Sequence, residues 1–360
     1  MARTKSLDGI RAISILMVTA GHALLTLPAS VGENKVVQLF SNAALGVQIF
    51  FVISGYLITK LLLLERKKTG KIDLKGFYIR RVLRIFPVFF LYLITLVLLK
   101  YSLMPEVFRS YSLILFAALY LWNYKHYFKA DPAGDNGNFY MAHFWSLSME
   151  EQFYLLWPIT FIRNRKNLIK ITIAIMLLIP LVRIASYFLM PGSRPQVTMM
   201  LHTGGDTIIM GCFGALLEQT NTFKNSLVPI LKSNLLILAV ALFLFVLSPL
   251  LSMYLKGMYA LTVGQSLNNL CIMALIFWAI YIPSAVSTAL NSKILVHTGI
   301  LSYSIYIWQP LILNHKTNFW INQFPQNILV VMAIAFLSYY AIEKPLLNLK
   351  KRFSANLHNT

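Results

Sequence analysis

Two polar residues of the first apolar segment, Arg11 and His22, have side chains that can do chemistry. Eleven residues make close to three turns of helix, so both side chains lie on one face, about 16 Å apart along the axis. Imidazole takes up a proton near neutral pH, and ionisable groups inside a membrane usually face a wet cavity and serve function. A lone histidine could equally make an interhelical hydrogen bond. The arginine on the same face favours the functional interpretation.

A second cluster of polar residues begins the fourth long apolar segment. His143, Ser146 and Glu150 recur at helical spacing, and Glu151 and Tyr154 follow. Adjacent carboxylates point about 100° apart on a helix, so one can face a cavity while the other faces a helix partner. Acidic residues could also merely cap an interfacial helix end. The helical spacing favours a site that includes both carboxylates.

Three arginines, Arg80, Arg81 and Arg84, precede the third apolar segment. Arg81 and Arg84 share one face of a helical turn. Guanidinium groups suit phosphate and pyrophosphate. Positive-inside topology and anionic lipid headgroups also place arginines at this membrane edge, and the spacing alone favours that explanation over phosphate binding.

The pattern of apolar residues indicates what must position these side chains. Hydrophobic residues make up 58% of the 360 residues and charged residues 12%, whereas about a quarter of the residues of a soluble domain are charged. Apolar runs of about 20 residues, the length that crosses a bilayer, recur along the chain. The sequence predicts an all-α, polytopic transmembrane helix bundle that forms one domain over residues 1–360, without a separate soluble domain. The predicted spans are 8–28, 42–64, 84–104, 143–162, 167–190, 198–218, 235–255, 259–281, 296–315 and 325–343.

The net charge of +20 does not indicate nucleic-acid binding, because the basic residues cluster between apolar runs, as membrane topology demands. With both termini in the cytoplasm, 21 basic residues fall inside and seven outside. This count requires that the short run 111–124 does not cross fully. We therefore predict a re-entrant or interfacial helix near 111–124, in addition to about ten spans.

Other residues give weaker signals. Ser54 and Gly55 form a small pair that permits close helix approach, and Arg183 and Asp206, within or at the ends of apolar runs, could pair. No spacing typical of a zinc site, phosphate-binding loop or nucleophile elbow is visible, so we expect no metal.

Taken together, the motifs resemble those of the acyltransferase 3 family of integral membrane proteins. They follow the family's order over nearly the whole chain, and it is this series that makes the resemblance specific. The matching residues are Leu7-Asp8-Gly9, Arg11 with His22, Phe50-Phe51 with Ser54-Gly55, Arg80-Arg81 with Arg84 and Pro87, Trp145-Ser146-Leu147 with Glu150-Glu151-Gln152-Phe153-Tyr154, Asp206 with Gly211, Ser302-Tyr303 with Tyr306, and Glu343-Lys344-Pro345.

The resemblance implies a membrane-bound O-acyltransferase of the bacterial inner membrane. The donor would be an acyl-CoA, usually acetyl-CoA, and the acceptor a hydroxyl of a cell-surface, exported or lipid-linked glycan. His22 would act as general base or transient acyl carrier, Arg11 would orient or polarise, and Glu150, with Glu151 beside it, would tune His22 or the acceptor. Arg80, Arg81 and Arg84 would bind the CoA phosphates. We expect four further residues to bind substrate: His143, Ser146, Tyr154 and Tyr306.

Two features depart from the family. A histidine that often follows the ninth-span tyrosines is replaced by Trp308-Gln309, so its role is absent here or is taken by Gln309. We also expect no soluble C-terminal domain of the kind that some members carry, which would confine transfer to the membrane domain or require a separate protein.

A transporter or flippase for a polar or lipid-linked substrate is the main alternative, because buried charge is typical of proton-coupled carriers. No inverted repeat or pair of broken helices supports it. A glycosyltransferase would need a large outer loop with acidic metal ligands, and Asp131 and Asp135 make an unconvincing pair. The acceptor, acyl chain, protein partners and oligomeric state are not encoded in any motif.

Overall fold

The computed structural model describes residues 4–130 and 133–355, and every regular element within them is helical. This confirms the predicted all-α bundle. The main helices are α1 (Lys5–Ala23), α2 (Ala43–Thr69), α3 (Leu74–Tyr101), α4 (Tyr111–Ala118), α5 (Phe144–Arg163), α6 (Leu168–Leu189), α7 (Asp206–Leu217), α8 (Asn234–Leu255), α9 (Gly257–Tyr281), α10 (Lys293–Ile312) and α11 (Gln326–Leu349).

Shorter helical pieces connect the main helices. Short turns of π-helix interrupt α8, α9 and α11 at Phe243–Leu247, Ala260–Gly264 and Tyr339–Glu343. The connecting pieces are Leu24–Thr26, Ala29–Gly32, Lys35–Phe40, Trp122–Tyr124, Gly137–Tyr140, Pro191–Gln196, Leu201–Gly204, Phe223–Leu227, Val228–Ile230, Ala285–Leu290 and Trp320–Asn322.

Seven helices in the described part of the chain are long and apolar enough to cross a membrane: α1, α2, α3, α6, α8, α9 and α11. The chain is therefore an integral membrane protein. The other three predicted spans, in α5, α7 and α10, are helical too, but they are less apolar or, for α7, only 12 residues long. The seven helices are fewer than the ten spans predicted from apolar runs, because those runs include the segments that carry polar residues into the bundle.

The segment near 111–124 forms a short helix, a turn and a second helical turn. The eight residues of α4 are about 12 Å long, well short of the hydrocarbon core. The amide of Asn123 donates to the backbone oxygen of Met199 at 3.3 Å and pairs with the Gln152 amide at 2.9 and 3.1 Å. These bonds hold the segment against α5.

Contacts between helix ends define two ends of the bundle. At one end the guanidinium of Arg66, on α2, lies 4.9 Å from the Phe161 ring on α5. At the same end Lys60 pairs with Glu218 at 2.7 Å, and Tyr281 also donates to Glu218. This basic end holds the first residues of α1, α3 and α10 and the last residues of α2, α5, α7 and α9.

The far end holds the opposite termini. There Asn327, at the start of α11, donates to the Thr26 hydroxyl at 2.8 Å, and the Tyr92 hydroxyl donates to the backbone oxygen of Tyr140 at 2.7 Å. Helices α1 and α2 thus run in opposite directions, and so do α10 and α11.

Close helix packing places α1 and α2 at the centre. A Cβ at Gly55 would overlap the carbonyl of Ile208, and one at Gly211 would overlap the carbonyl of Val52, so α2 and α7 touch along their backbones. Gly299 faces the Asp8 carbonyl in the same way, which brings α10 against α1. Such contacts are the usual way in which membrane helices associate, and they confirm the packing role predicted at Gly55.

Candidate active site

A cavity of about 170 Å³ opens between α1, α2, α3, α5 and α10 towards the basic end. Its polar wall combines guanidinium groups, a carboxylate and hydroxyls. The polar lining residues are Arg11, Ser54, Arg81, Arg84, Ser146, Glu150, Tyr154, Ser302, Tyr303 and Tyr306. Positive groups with several hydroxyls in one cleft suit a phosphorylated or polyhydroxyl ligand.

Glu150 is the only carboxylate among the residues that line this cavity. The Tyr154 hydroxyl donates to its Oε1 at 2.9 Å, and the Ser54 hydroxyl donates to the same oxygen. Two donors on one oxygen fix the orientation of the carboxyl group. Glu150 is thus held in place at the cavity wall by residues of α2 and α5.

Glu151 lies outside the cavity lining, and its Oε1 is buried without a hydrogen bond to any described residue. The helix turns the two adjacent side chains to different faces, as the sequence predicted. Arg81 and Glu150 are the charged groups within electrostatic range of Glu151.

The three arginines of α3 do not act as one set. Arg81 and Arg84 line the cavity, and the Arg81 guanidinium carbon lies 4.2 Å from the centroid of the Tyr154 ring. Arg80 instead pairs with Glu65 at 3.2 Å, away from the cavity lining. The structure therefore brings two of the three predicted phosphate ligands together.

Arg11 reaches the same cavity from α1. Its guanidinium donates to the Ser302 hydroxyl at 2.9 Å and lies 3.9 Å from the Asp8 carboxylate. The cavity wall thus carries three guanidinium groups, from Arg11, Arg81 and Arg84, and one carboxylate, so positive charge predominates.

The inner wall of the cavity is a hydrogen-bonded pair of hydroxyls. Ser146 and Tyr306 are 2.5 Å apart, and both hydroxyls lie 3.0 Å from the backbone oxygen of His143. Behind them lies the His143 ring, 5.5 Å from the Tyr306 ring between centroids. His143 is buried and does not line the cavity.

His22 lies beyond this wall and does not line the cavity either. His143 is within its electrostatic range, and the Gln309 amide lies beside it. Even so, Nδ1 of His22, both ring nitrogens of His143 and both amide atoms of Gln309 are buried without a hydrogen bond of normal geometry to any described residue. Buried polar atoms without partners are rare in folded proteins, so this cluster around His22 is a candidate for binding or proton transfer.

Sequence reasoning missed part of the site. Ser54 was assigned to packing, and Ser302 and Tyr303 received no role, although all three line the cavity. Tyr303 also donates to the backbone oxygen of Ile85 at 2.6 Å, which ties α10 to α3. The sequence did contain a signal for these residues, because each lies in a motif of the family resemblance.

A second buried charge cluster lies away from the cavity. Arg183 and Asp206 pair at 2.7 Å with side chains 0% and 2% exposed, which confirms the predicted pairing. Gln265 donates to the other Asp206 oxygen at 2.9 Å. Across residues 4–130 and 133–355, no group of three or more His, Cys, Asp or Glu side chains is placed to hold a metal ion.

Comparison with known proteins places the chain in a family. The model of the acyltransferase domain family matches residues 4–342. The chain is 30% identical over 370 aligned positions to O-acetyltransferase OatA of Staphylococcus aureus (strain NCTC 8325), covering 97% of this chain and 58% of that protein. It is 28% identical to the putative O-acetyltransferase SACOL0978 of S. aureus (strain COL), covering 94% of this chain and 56% of that protein.

The chain thus spans a little more than half the length of these relatives. No solved structure matches it. The family match covers the cavity, the wall and the His22 cluster alike. The chain belongs to the acyltransferase 3 family.

Proposed function

We propose that this chain is a membrane-bound O-acyltransferase that moves an acyl group, acetyl in the first instance, from acyl-CoA to a hydroxyl of a cell-surface or exported glycan. The observation that carries the proposal is the cavity that joins Arg81, Arg84 and Arg11 to Glu150, with the His22 cluster behind its inner wall. The O-acetyltransferases among its relatives support the reaction class.

The basic end is the donor side in this proposal. Arg81 and Arg84 bind the phosphates of CoA, for which guanidinium forks are suited. By the positive-inside rule this end faces the cytoplasm, where acyl-CoA is made, and both termini lie there. Arg80, paired with Glu65, contributes to the local positive charge rather than to a direct contact. The bundle, with α5, α7 and α10 as further spans, forms one domain in a bacterial inner membrane.

The wall formed by Ser146 and Tyr306 separates the donor cavity from His22. These two hydroxyls bond to each other and to the backbone oxygen of His143. A ligand with a hydrogen-bond acceptor can replace these bonds at little cost in free energy. We infer that the thioester carbonyl takes over bonds from these hydroxyls as it enters, and that Tyr306 turns aside to admit the acyl group.

His22 then performs one of two roles. As a general base it takes the proton of the acceptor hydroxyl while the oxygen attacks the thioester carbonyl; the carbon–sulfur bond breaks and CoA leaves as a thiolate, which accepts that proton. As a carrier, a ring nitrogen attacks the carbonyl first, the carbon–sulfur bond breaks, and the thiolate of CoA takes the proton from the other ring nitrogen. The acceptor oxygen then displaces the imidazole, which receives the hydroxyl proton.

The remaining residues support these steps. Arg11 stands beside the donor path and polarises the thioester, and Glu150, held by Ser54 and Tyr154, orients polar groups of the substrates. The buried His143 ring is near both Tyr306 and His22, and we assign to it the passage of a proton between the two regions. The acceptor glycan arrives from the far end.

The test is mass spectrometry of surface glycan from a host strain with the gene, without it, and with the His22→Ala variant. We expect O-acyl groups only with the intact protein. His297→Ala is the matched control, because His297 lies on α10 against Phe336 and Tyr340, outside the site. A glycan that reaches the surface through this protein but is never acylated would establish a transporter and refute the proposal.

A further inference from the structure

A groove of about 370 Å³ lies on the side of α1 away from the donor cavity. Ile10 and Ile13 of α1 form one wall, and residues of α8 that include Leu238 and Ala241 form the other. Its volume is more than twice that of the donor cavity, and it falls in the range of small-molecule sites. The proposed reaction does not use this groove.

The lining of the groove is apolar except for Asn234. Leu238 and Val286, both at its edge, are 56% and 50% exposed, so the groove opens to the surroundings of the bundle. Because α1 and α8 are apolar enough to cross the membrane, those surroundings are lipid. The chemistry of the lining therefore suits a hydrocarbon chain.

The rim of the groove at the basic end is positively charged. Lys232 precedes Asn234 by two residues, Lys293 follows the lining residue Leu290 by three, and both lysine side chains are exposed. No acidic residue occurs in 230–236 or 284–296. Lysines beside an anionic membrane surface attract negative headgroups.

We propose that this groove binds one acyl chain of an anionic phospholipid from the leaflet at the basic end, with the headgroup beside Lys232 and Lys293. Ile10 and Ile13 flank Arg11, so the bound chain packs against the back of the helix that carries both Arg11 and His22. The lipid thereby stabilises the position of α1. The proposal does not depend on the acyl-transfer reaction.

The test uses two variants of one helix. Leu238→Trp places an indole in the groove, whereas Leu242→Trp, one turn further along α8 and 52% exposed, places the same group outside the lining. Purified full-length protein is delipidated in neutral detergent and titrated with phosphatidylglycerol or phosphatidylcholine. Native mass spectrometry counts the retained lipid, and thermal unfolding reports stabilisation.

We expect the wild type and Leu242→Trp to retain one phosphatidylglycerol and to be stabilised by it, and Leu238→Trp to retain at least tenfold less. Lys232→Gln and Lys293→Gln should each reduce the preference for phosphatidylglycerol over phosphatidylcholine about fivefold.

Thermal unfolding without added lipid checks that each variant is folded. Should Leu238→Trp unfold, Ala241→Trp fills the same groove. If the groove-filled variant retained as much phosphatidylglycerol as the wild type, the proposed site would be wrong. If the wild type bound phosphatidylglycerol and phosphatidylcholine equally, the proposed preference for an anionic headgroup would be wrong.

Discussion

Two carboxylates of this bundle, Asp206 and Glu150, have opposite surroundings. Asp206 accepts hydrogen bonds from Arg183 and Gln265 in a closed contact with almost no exposed surface. Glu150 accepts hydrogen bonds from the hydroxyls of Ser54 and Tyr154. The arginines near it line an open cavity. Both oxygens of Asp206 thus have partners within the protein, although two nitrogens of Arg183 are buried without one. The arginines around Glu150 instead face a cavity that a ligand can enter. A carboxylate in a membrane bundle therefore indicates structure in one place and a site in the other.

The largest expected effect comes from breaking the closed pair. Asp206→Ala leaves the Arg183 guanidinium buried without its counter-ion, and such a loss costs about 3–5 kcal/mol. We expect little folded protein in detergent and a large fall in the unfolding temperature. Arg183→Leu combined with Asp206→Leu should recover most of the stability, because an apolar pair needs no charge compensation. Full activity and stability of Asp206→Ala alone would show that the pair is not structural.

A substitution in the open site should lower activity without lowering stability. Glu150→Gln keeps the size of the side chain and an oxygen that accepts from Ser54 and Tyr154, so we expect an unchanged unfolding temperature. Loss of the charged acceptor that orients the substrates should lower acyl transfer about 100-fold or more. Radioactive acetyl-CoA added to host membranes measures the rate. A variant that unfolds but retains activity per folded molecule would place Glu150 with Asp206 as a structural residue.

Donor binding should depend on which arginine is changed. Arg81→Gln removes a charged contact to phosphate, so the KM for acetyl-CoA should rise roughly 10- to 100-fold with a smaller change in kcat. Arg163→Gln, an exposed arginine at the same end, is the control for general membrane charge. An equal effect of both variants would mean that the cavity does not bind the phosphates.

The smallest effect is expected for Arg80. Its partner is Glu65 and it does not line the cavity, so Arg80→Gln loses one ion pair but no contact with the donor. We expect less than a threefold change in KM for acetyl-CoA under the same assay. A rise as large as that of Arg81→Gln would return Arg80 to the donor site.

Much of this organisation is predictable from the sequence, because lipid imposes strict demands on composition and spacing. Apolar runs fix the helices, and helical spacing brings Ser146, Glu150 and Tyr154 to one wall. Spacing cannot decide which of two adjacent groups faces a cavity, since this depends on how the helix is rotated by its neighbours. The separation of Arg80 from Arg81, and the roles of Ser54 and Ser302 as partners of charged groups, arise from contacts between distant segments.

The wall between the cavity and His22 was also beyond sequence reasoning. The resemblance implied that His22 takes part in transfer, whereas the lining of the cavity includes Ser146 and Tyr306 but not His22. A motif records which residues are present and not which side chains meet across three helices. The reaction proposed here therefore needs the Tyr306 side chain to move.

The central claim is that donor binding and acyl transfer occupy opposite sides of this wall. Two measurements on His22→Ala test it most directly. The affinity for acetyl-CoA is measured with the purified variant, and the transfer of labelled acetyl to glycan is measured in host membranes that contain it. We predict wild-type donor affinity with no detectable transfer, and normal values of both for His297→Ala. Wild-type transfer by His22→Ala would contradict the account.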